Sequence, residues 1–320
     1  SNDNEESKSL VKQTNLDPTP TLIEPTIKPT TTLMTPATTI PVPTLTVTAP
    51  SELRPVDQII DTHNHLLRRP PLSCDFASAV DIVTATMDRF GIQKMLIMPT
   101  PGLRDNCDSK SLAEITAQYP DRFAFLAGGG TLNPMIHESV SSGELTLDTR
   151  TLFAQKAEKI LEDGAVGFGE ITAEHFSFDK NHPYESAPPD HPLFLLLADI
   201  AAQNGVPIDL HMEIIPQDME FNDISPMSQS RRSSNNPSKL QANLKSFEQF
   251  LDHNPDARIV WVHAGWDNTG FRSPELMGRL LKNHQNLYIS IRPFPPQLPL
   301  PNKLFDDDGQ IDAGWMSLIL

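Results

Sequence analysis

The sequence predicts an α/β fold: a parallel (β/α)8 TIM barrel, truncated before its eighth strand and preceded by a disordered N-terminal tail. Three observations predict it. Seven short, nearly continuously apolar runs alternate with helix-like runs, the pattern of parallel strands covered on both faces. Histidine and carboxylate residues recur at the C-terminal ends of those runs, the end at which a barrel carries its active site. No G-x-G-x-x-G follows the first run, so a dinucleotide-binding sheet has little support.

The strand-like runs are 59–65, 94–100, 123–127, 165–172, 206–213, 258–264 and 287–292. Between them, Ala79, Val83, Thr86 and Phe90 line one side of a first helix, and a second covers 109–118, closed by Pro120. A third, 148–161, ends at Gly164, where a left-handed C-cap suits glycine. A fourth starts at Pro192 and ends at Gly205. Leu240, Leu244, Phe247 and Leu251 form the stripe of a fifth, and Ser273-Pro274-Glu275 caps a sixth. Gly128-Gly129-Gly130 has no P-loop lysine and reads as a tight turn. After the seventh run, a proline-rich loop leads to a last helix at 309–320, and no eighth strand follows. A complete seven-stranded domain, or a barrel completed by another chain, is the alternative.

Composition divides the chain into two domains. Residues 1–52 are rich in Pro, Thr and charge, with no aromatic residue. Such a segment buries too little apolar surface to offset its ordering entropy and is expected to be a disordered linker. Residues 53–320 form the expected barrel. The net charge of −16 argues against nucleic acid as a partner, because phosphate contacts need clustered Lys and Arg. No apolar run approaches the ~18 residues of a transmembrane segment. The start at Ser1 without methionine suggests a processed or truncated N-terminus, and the Thr/Pro stalk suggests a lipid or surface tether and an extracytoplasmic location; a cytoplasmic enzyme is the alternative. Export would permit a disulfide between Cys74 and Cys107; two free thiols are equally compatible. Oligomeric state is not legible.

The chemistry starts at Ile59-Ile60-Asp61-Thr62-His63-Asn64-His65. On a strand, residues two apart share a face, so His63 and His65 point together, half of a metal site. Glu170 lies near the end of the fourth run, His211 near the end of the fifth and His263 near the end of the sixth. Parallel strands bring these five to one rim. His63, His65, Glu170, His211 and His263 are therefore the candidate metal ligands, with Glu170 and His263 also candidate catalytic groups. Asp61 and Asp209 share faces with ligands and are candidates for fixing histidine tautomers.

H-N-H on the first strand, Glu on the fourth, His on the fifth and H-A-G-W on the sixth together resemble the amidohydrolase superfamily, in its amidohydrolase-2 branch. The resemblance spans about 53–320. It implies a divalent cofactor (zinc, with manganese as alternative; one or two ions) bound by His63 and His65, with Glu170 a ligand that bridges if two ions bind. His211 and His263 are implied as further ligands, His263 instead orienting substrate in single-metal members. The family also places an aspartate at the end of an eighth strand, and none is found here.

Substrate recognition is expected from the loops. Arg292, at the end of the seventh run, suits a carboxylate. His175, Arg231 and Trp266 complete the candidate substrate-binding set. The expected activity is metal-dependent hydrolysis of an amide, ester or lactone in a small molecule. A non-oxidative decarboxylase using the same ligands and a noncatalytic metal-binding domain are the rivals.

Overall fold

Strand β1 (Ile59–Asn64) is followed by helix α1 (Ala77–Phe90), β2 (Ile92–Ile97), α2 (Ser109–Gln118), β3 (Phe123–Phe125), β4 (Ala127–Gly128), α3 (Leu132–Ser142) and α4 (Leu147–Glu162). Next come β5 (Phe168–His175), the two-residue β6 (Glu185–Ser186), α5 (Pro192–Asn204), β7 (Pro207–Met212) and the short pair β8 (Met219–Glu220) and β9 (Lys239–Leu240). The chain ends with α6 (Leu244–His253), β10 (Arg258–Ala264), α7 (Pro274–Asn283), β11 (Leu287–Ile291) and α8 (Ala313–Ile319). This computed structural model describes residues 59–66, 76–101, 109–178, 183–224, 233–295 and 300–319. The tail at 1–52, Cys74 and Cys107 with their candidate disulfide, and Arg231 lie outside the described residues.

The long strands pair in parallel in chain order. β1, β2 and β3 form one path, and β4, β5, β7, β10 and β11 another. The two paths meet in a single run. Leu126 N–H donates to Ile97 O on one side, and Val166 N–H donates to Phe125 O on the other. The predicted third strand is thus β3 and β4 together, broken at Leu126.

The sheet curls strongly. β1 and β10 stand five steps apart in this order, about 24 Å in a flat sheet. Yet the rings of His63 on β1 and His263 on β10 are 4.6 Å apart. The curl does not close among the described residues, because β1 and β11 are not paired. A cavity of about 620 Å³ lies between them, lined by residues 59–65 on one side and 289–293 on the other. The observed class is therefore an α/β fold with a mostly parallel, barrel-like sheet.

The core follows the apolar pattern. Strand residues Ile97, Phe125, Phe168, Leu210 and Trp261 are fully or almost fully buried against helix residues Phe153, Phe194 and Phe247. Phe247 meets Trp261 at 5.1 Å between ring centroids, which fixes α6 on β10; burying a side chain of this size stabilises by about 1.5–3 kcal/mol. The caps behave as their residue types require. Ser273 accepts from Leu276 N–H at the start of α7, and His191 accepts from Leu193 N–H at the start of α5, which Gly205 ends in a left-handed conformation.

Four local expectations are corrected. Val80 and Met87 form the buried side of α1, whereas Phe90 is exposed, because the strand that α1 covers lies beside that face. Leu240 belongs to β9 rather than to the helix after it. The last helix starts at Ala313, after Asp312 bonds the Gly314 and Trp315 N–H groups. Helix α3 was not anticipated at all. It docks on β5 through Asn133, whose Oδ1 accepts from Thr172 N–H at 2.9 Å, and His137, whose Nε2–H donates to Thr172 O at 3.0 Å. Two side chains of α3 thus take backbone groups of β5 that two-residue β4 is too short to pair.

Candidate metal centre

Four parallel strands deliver the five candidate ligands to one place. His63 and His65 leave β1, Glu170 lies on β5, His211 on β7 and His263 on β10. β5 runs further than its apolar pattern suggested, so Glu170 sits inside the strand rather than at its end. That depth makes Glu170 the hub. Its Oε1 is 2.7 Å from His211 Nδ1 and 3.3 Å from His263 Nε2. Its Oε2 is 3.1 Å from His65 Nε2 and 3.9 Å from His63 Nε2.

Glycine makes this depth accessible. A Cβ on Gly129 would lie 2.8 Å from Glu170 O, and one on Gly169 would lie 2.8 Å from the Asp209 Cβ. Both are steric exclusions. The triple glycine, read from sequence as a turn, also lets the chain pass against the backbone of the central carboxylate.

Outer partners orient the imidazoles. His63 Nδ1–H donates to Asp209 Oδ2 at 3.1 Å, and His65 Nδ1–H donates to Met98 O at 3.1 Å. Each bond places a proton on Nδ1 and turns Nε2 toward the centre, where an ion would take its lone pair. The His63 Nε2 is buried with no hydrogen-bond partner, an expensive state for a polar atom unless something fills the space before it. Of the two aspartates proposed for this task, Asp209 performs it; Asp61 lines the cavity.

The protonation states follow from these contacts. Burial opposes charge on His63, but the Asp209 carboxylate outweighs it and pushes the pKa up to about 9. Burial also opposes charge on Glu170, yet hydrogen bonds from His211, His263 and His65 hold its carboxyl well below the usual range. His263 is held well below the usual histidine value, chiefly by burial, and is neutral. Burial works against the charged form of His211, but Glu170 and Glu213 raise it.

Two close groups, His63–His65–Glu170 and Glu170–His211–His263, each bring three ligand atoms within 4.8 Å of one another. The set fits a divalent transition metal: imidazole nitrogens with one shared carboxylate, buried, with an orphaned Nε2 aimed inward.

Of the candidate substrate residues, three reach the site. The His175 ring meets His211 edge-on at 4.5 Å. The Trp266 ring is 5.3 Å from His263 and 6.3 Å from Phe178, nearly parallel to the latter. Arg292 lines the cavity that His63, His65 and His263 also line.

The sequence reading missed a further shell. Glu213 Oε1 is 3.5 Å from His211 Nε2 and accepts from Asn268 Nδ2 at 2.6 Å. Glu174 is fully buried, with hydrogen bonds to Ser186 and Tyr184, and burial raises its carboxyl to about 8. Arg272 is fully buried, with Nη1 donating to Val262 O at 2.9 Å and His263 O at 3.1 Å, and Nη2 donating to Met212 O. It thereby holds His263, whose backbone is left-handed at φ 66°. Glu174 and Glu213 follow ligands at even spacing on their strands, a usable signal; Arg272 had none.

No family model and no curated protein matches the chain. Among solved structures, it is similar to the 5-carboxyvanillate decarboxylase LigW from Sphingomonas paucimobilis, at 15% identity and a TM-score of 0.36, over 72% of this chain and 73% of that one. It is similar to an amidohydrolase II at 13% identity and a TM-score of 0.40, over 82% and 83%. It is also similar to the atrazine chlorohydrolase TrzN from Arthrobacter aurescens, solved with zinc and atraton, at 15% identity and a TM-score of 0.36; the match covers 72% of this chain and about half, 52%, of that one. These similar structures include members of the amidohydrolase family, the family that the order of ligand motifs resembles.

Proposed function

We propose that the chain is a metal-dependent hydrolase of the amidohydrolase type, acting on an amide, ester or lactone of a small molecule. The observation that carries this reading is the convergence of four histidines on the Glu170 carboxylate, with the buried His63 Nε2 left unbonded. The curl that brings β1 beside β10 supports the barrel reading of the fold.

His63, His65, Glu170, His211 and His263 would hold the ion, with zinc the expected metal and manganese the alternative. When bound, the ion supplies Lewis acidity, which acidifies water and polarises a carbonyl. The protein supplies the rest. Asp209 and Met98 O fix the tautomers of His63 and His65. His263, held neutral chiefly by burial, turns Nε2 to the centre, 3.3 Å from Glu170 Oε1, where it would meet the ion or a substrate group. The cavity of about 620 Å³ lies between the unpaired edges of β1 and β11, with His63, His65 and His263 along part of it.

Metal content measured on protein purified without added metal tests the reading. One or two equivalents, lost in a His63→Ala/His65→Ala double variant, support it. Metal absent even after reconstitution with zinc or manganese refutes it. Product analysis then separates hydrolysis from decarboxylation, in which the same ligands release CO2.

A further inference from the structure

We propose that Trp266, Asn268 and Glu213 form a hydrogen-bond relay that fixes the tautomer of His211, so that Nδ1 rather than Nε2 is its ligand atom. Glu213 and Asn268 are thereby positioning residues of the metal centre. Trp266 Nε1–H donates to Asn268 Oδ1 at 3.0 Å, and Asn268 Nδ2–H donates to Glu213 Oε1 at 2.6 Å. The same Oε1 faces His211 Nε2 at 3.5 Å, and His211 Nδ1 lies 2.7 Å from Glu170 Oε1 on the other side of the ring. Asn268, Glu213 and His211 are all buried. The step from Glu213 to His211 is long for a hydrogen bond, but Nε2 bonds to no other group among the described residues.

The direction of the relay follows from its ends. An indole N–H can only donate, so it turns the Asn268 oxygen toward Trp266 and the amide nitrogen toward Glu213. An asparagine alone could face either way; the tryptophan removes that choice. A carboxylate can only accept, so the Glu213 oxygen that takes the Asn268 N–H also calls for a proton on His211 Nε2. That proton is held away from the centre, and Nδ1 is the nitrogen turned toward Glu170. His211 is thus set opposite to His63 and His65, whose Nδ1–H groups point outward to Asp209 and Met98 O.

The backbone holds each part in place. Trp266 N–H donates to His263 O at 2.9 Å, which ties the start of the relay to a second ligand. Asp267 Oδ1 accepts from the Thr269 and Gly270 N–H groups and Oδ2 from Arg272 N–H, fixing the loop that carries Asn268. At Glu213, the backbone N–H donates to Glu174 O at 2.9 Å and the carbonyl accepts from Asn243 Nδ2 at 2.8 Å. A ligating imidazole whose outer N–H meets a carboxylate is held in one orientation and is more basic toward a metal.

The inference rests on the metal-centre reading, and its test separates the two. Zinc affinity is measured by competition with a chromogenic chelator for the wild type, Glu213→Met, Glu213→Gln and Trp266→Phe. Nitrogen NMR of the histidine rings in zinc-loaded protein, with the His211 signal assigned by its absence in His211→Asn, shows which ring nitrogen carries the proton. The expected wild type holds zinc through His211 Nδ1 and keeps the proton on Nε2. Glu213→Met should bind zinc about 10- to 100-fold more weakly. Glu213→Gln, which keeps an acceptor without the charge, should lie between, and Trp266→Phe should show a smaller loss than Glu213→Met. Zinc bound through His211 Nε2 overturns the relay, as does wild-type affinity in Glu213→Met. Should Glu213→Met not fold, wild-type affinity in both Glu213→Gln and Trp266→Phe overturns it equally. Wild-type protein that takes up no zinc refutes the metal-centre reading and the relay with it, whereas zinc taken up without these differences removes the relay alone.

Discussion

The His63 imidazole bridges Asp209 and the centre of the site: Nδ1 is 3.1 Å from Asp209 Oδ2, while the buried Nε2 has no hydrogen-bond partner. A carboxylate behind a ligating histidine fixes its tautomer and raises its basicity, and losing one typically weakens metal binding 10- to 100-fold. Asp209→Asn should therefore reduce zinc affinity by about that factor while leaving the fold intact, because the amide fills the same space. Competition against a chromogenic chelator measures it. Unchanged affinity would show that Asp209 is only a buried structural partner.

The same pair sets a pH dependence. The folded value of about 9 for His63 lies above the ordinary 6.5, so the metal-free fold gains from its proton. That gain is complete below about pH 6.5 and is lost as pH rises through about 9. Metal binding requires the proton to leave, so zinc affinity should rise with pH over the same window. Titrations at pH 7.5 in buffers of different ionisation enthalpy should report release of about one proton, falling towards zero near pH 10. Proton release independent of pH between 7 and 10 would contradict the assignment.

How much of this was legible follows from what alternation encodes. His63 with His65, and His211 and His263 at run ends, were visible because a strand repeats its faces every two residues and parallel strands share a rim. Glu170 was identified, but its depth was not, since β5 continues past the expected run to His175 by pairing with β7 and β6. α3 itself was hidden. The triple glycine before it reads as a tight turn, and its first turn holds Pro134, a residue tolerated there because the first-turn N–H groups of a helix need no intrahelical partner. Arg272 was out of reach because its partners, Met212 O and Val262 O, are fixed only by tertiary packing.

Glu174 carries a separate prediction. Its folded value of about 8 lies above the ordinary 4.5, raised by burial. Between those values the folded state holds a proton that the unfolded chain has released, so stability falls as pH rises from about 4.5 to 8. The loss is on the order of a few kcal/mol. Glu174→Gln cannot ionise and keeps the shape, so its unfolding midpoint in denaturant should decline less over this range. Parallel pH profiles for the two proteins would place the proton elsewhere.

Arg272 ties the ends of two strands together. Its guanidinium donates to carbonyls of both β7 and β10 and lies 4.7 Å over the Trp261 ring, with Glu213 and Asp267 supplying opposing charge. His263 sits between those carbonyls in a left-handed backbone, a conformation that costs a non-glycine residue roughly 1–2 kcal/mol. Arg272→Met preserves the stem and removes the donors, leaving buried carbonyls unpaired at about 1–3 kcal/mol each. The variant should melt well below the wild type. Arg272→Lys should recover part of the stability, because an ammonium reaches fewer of the carbonyls that a planar fork serves together. If the lysine variant folds, its zinc affinity should still fall, since His263 is no longer held from both sides. A folded Arg272→Lys protein with wild-type zinc affinity would confine Arg272 to stability and remove it from the organisation of the metal centre.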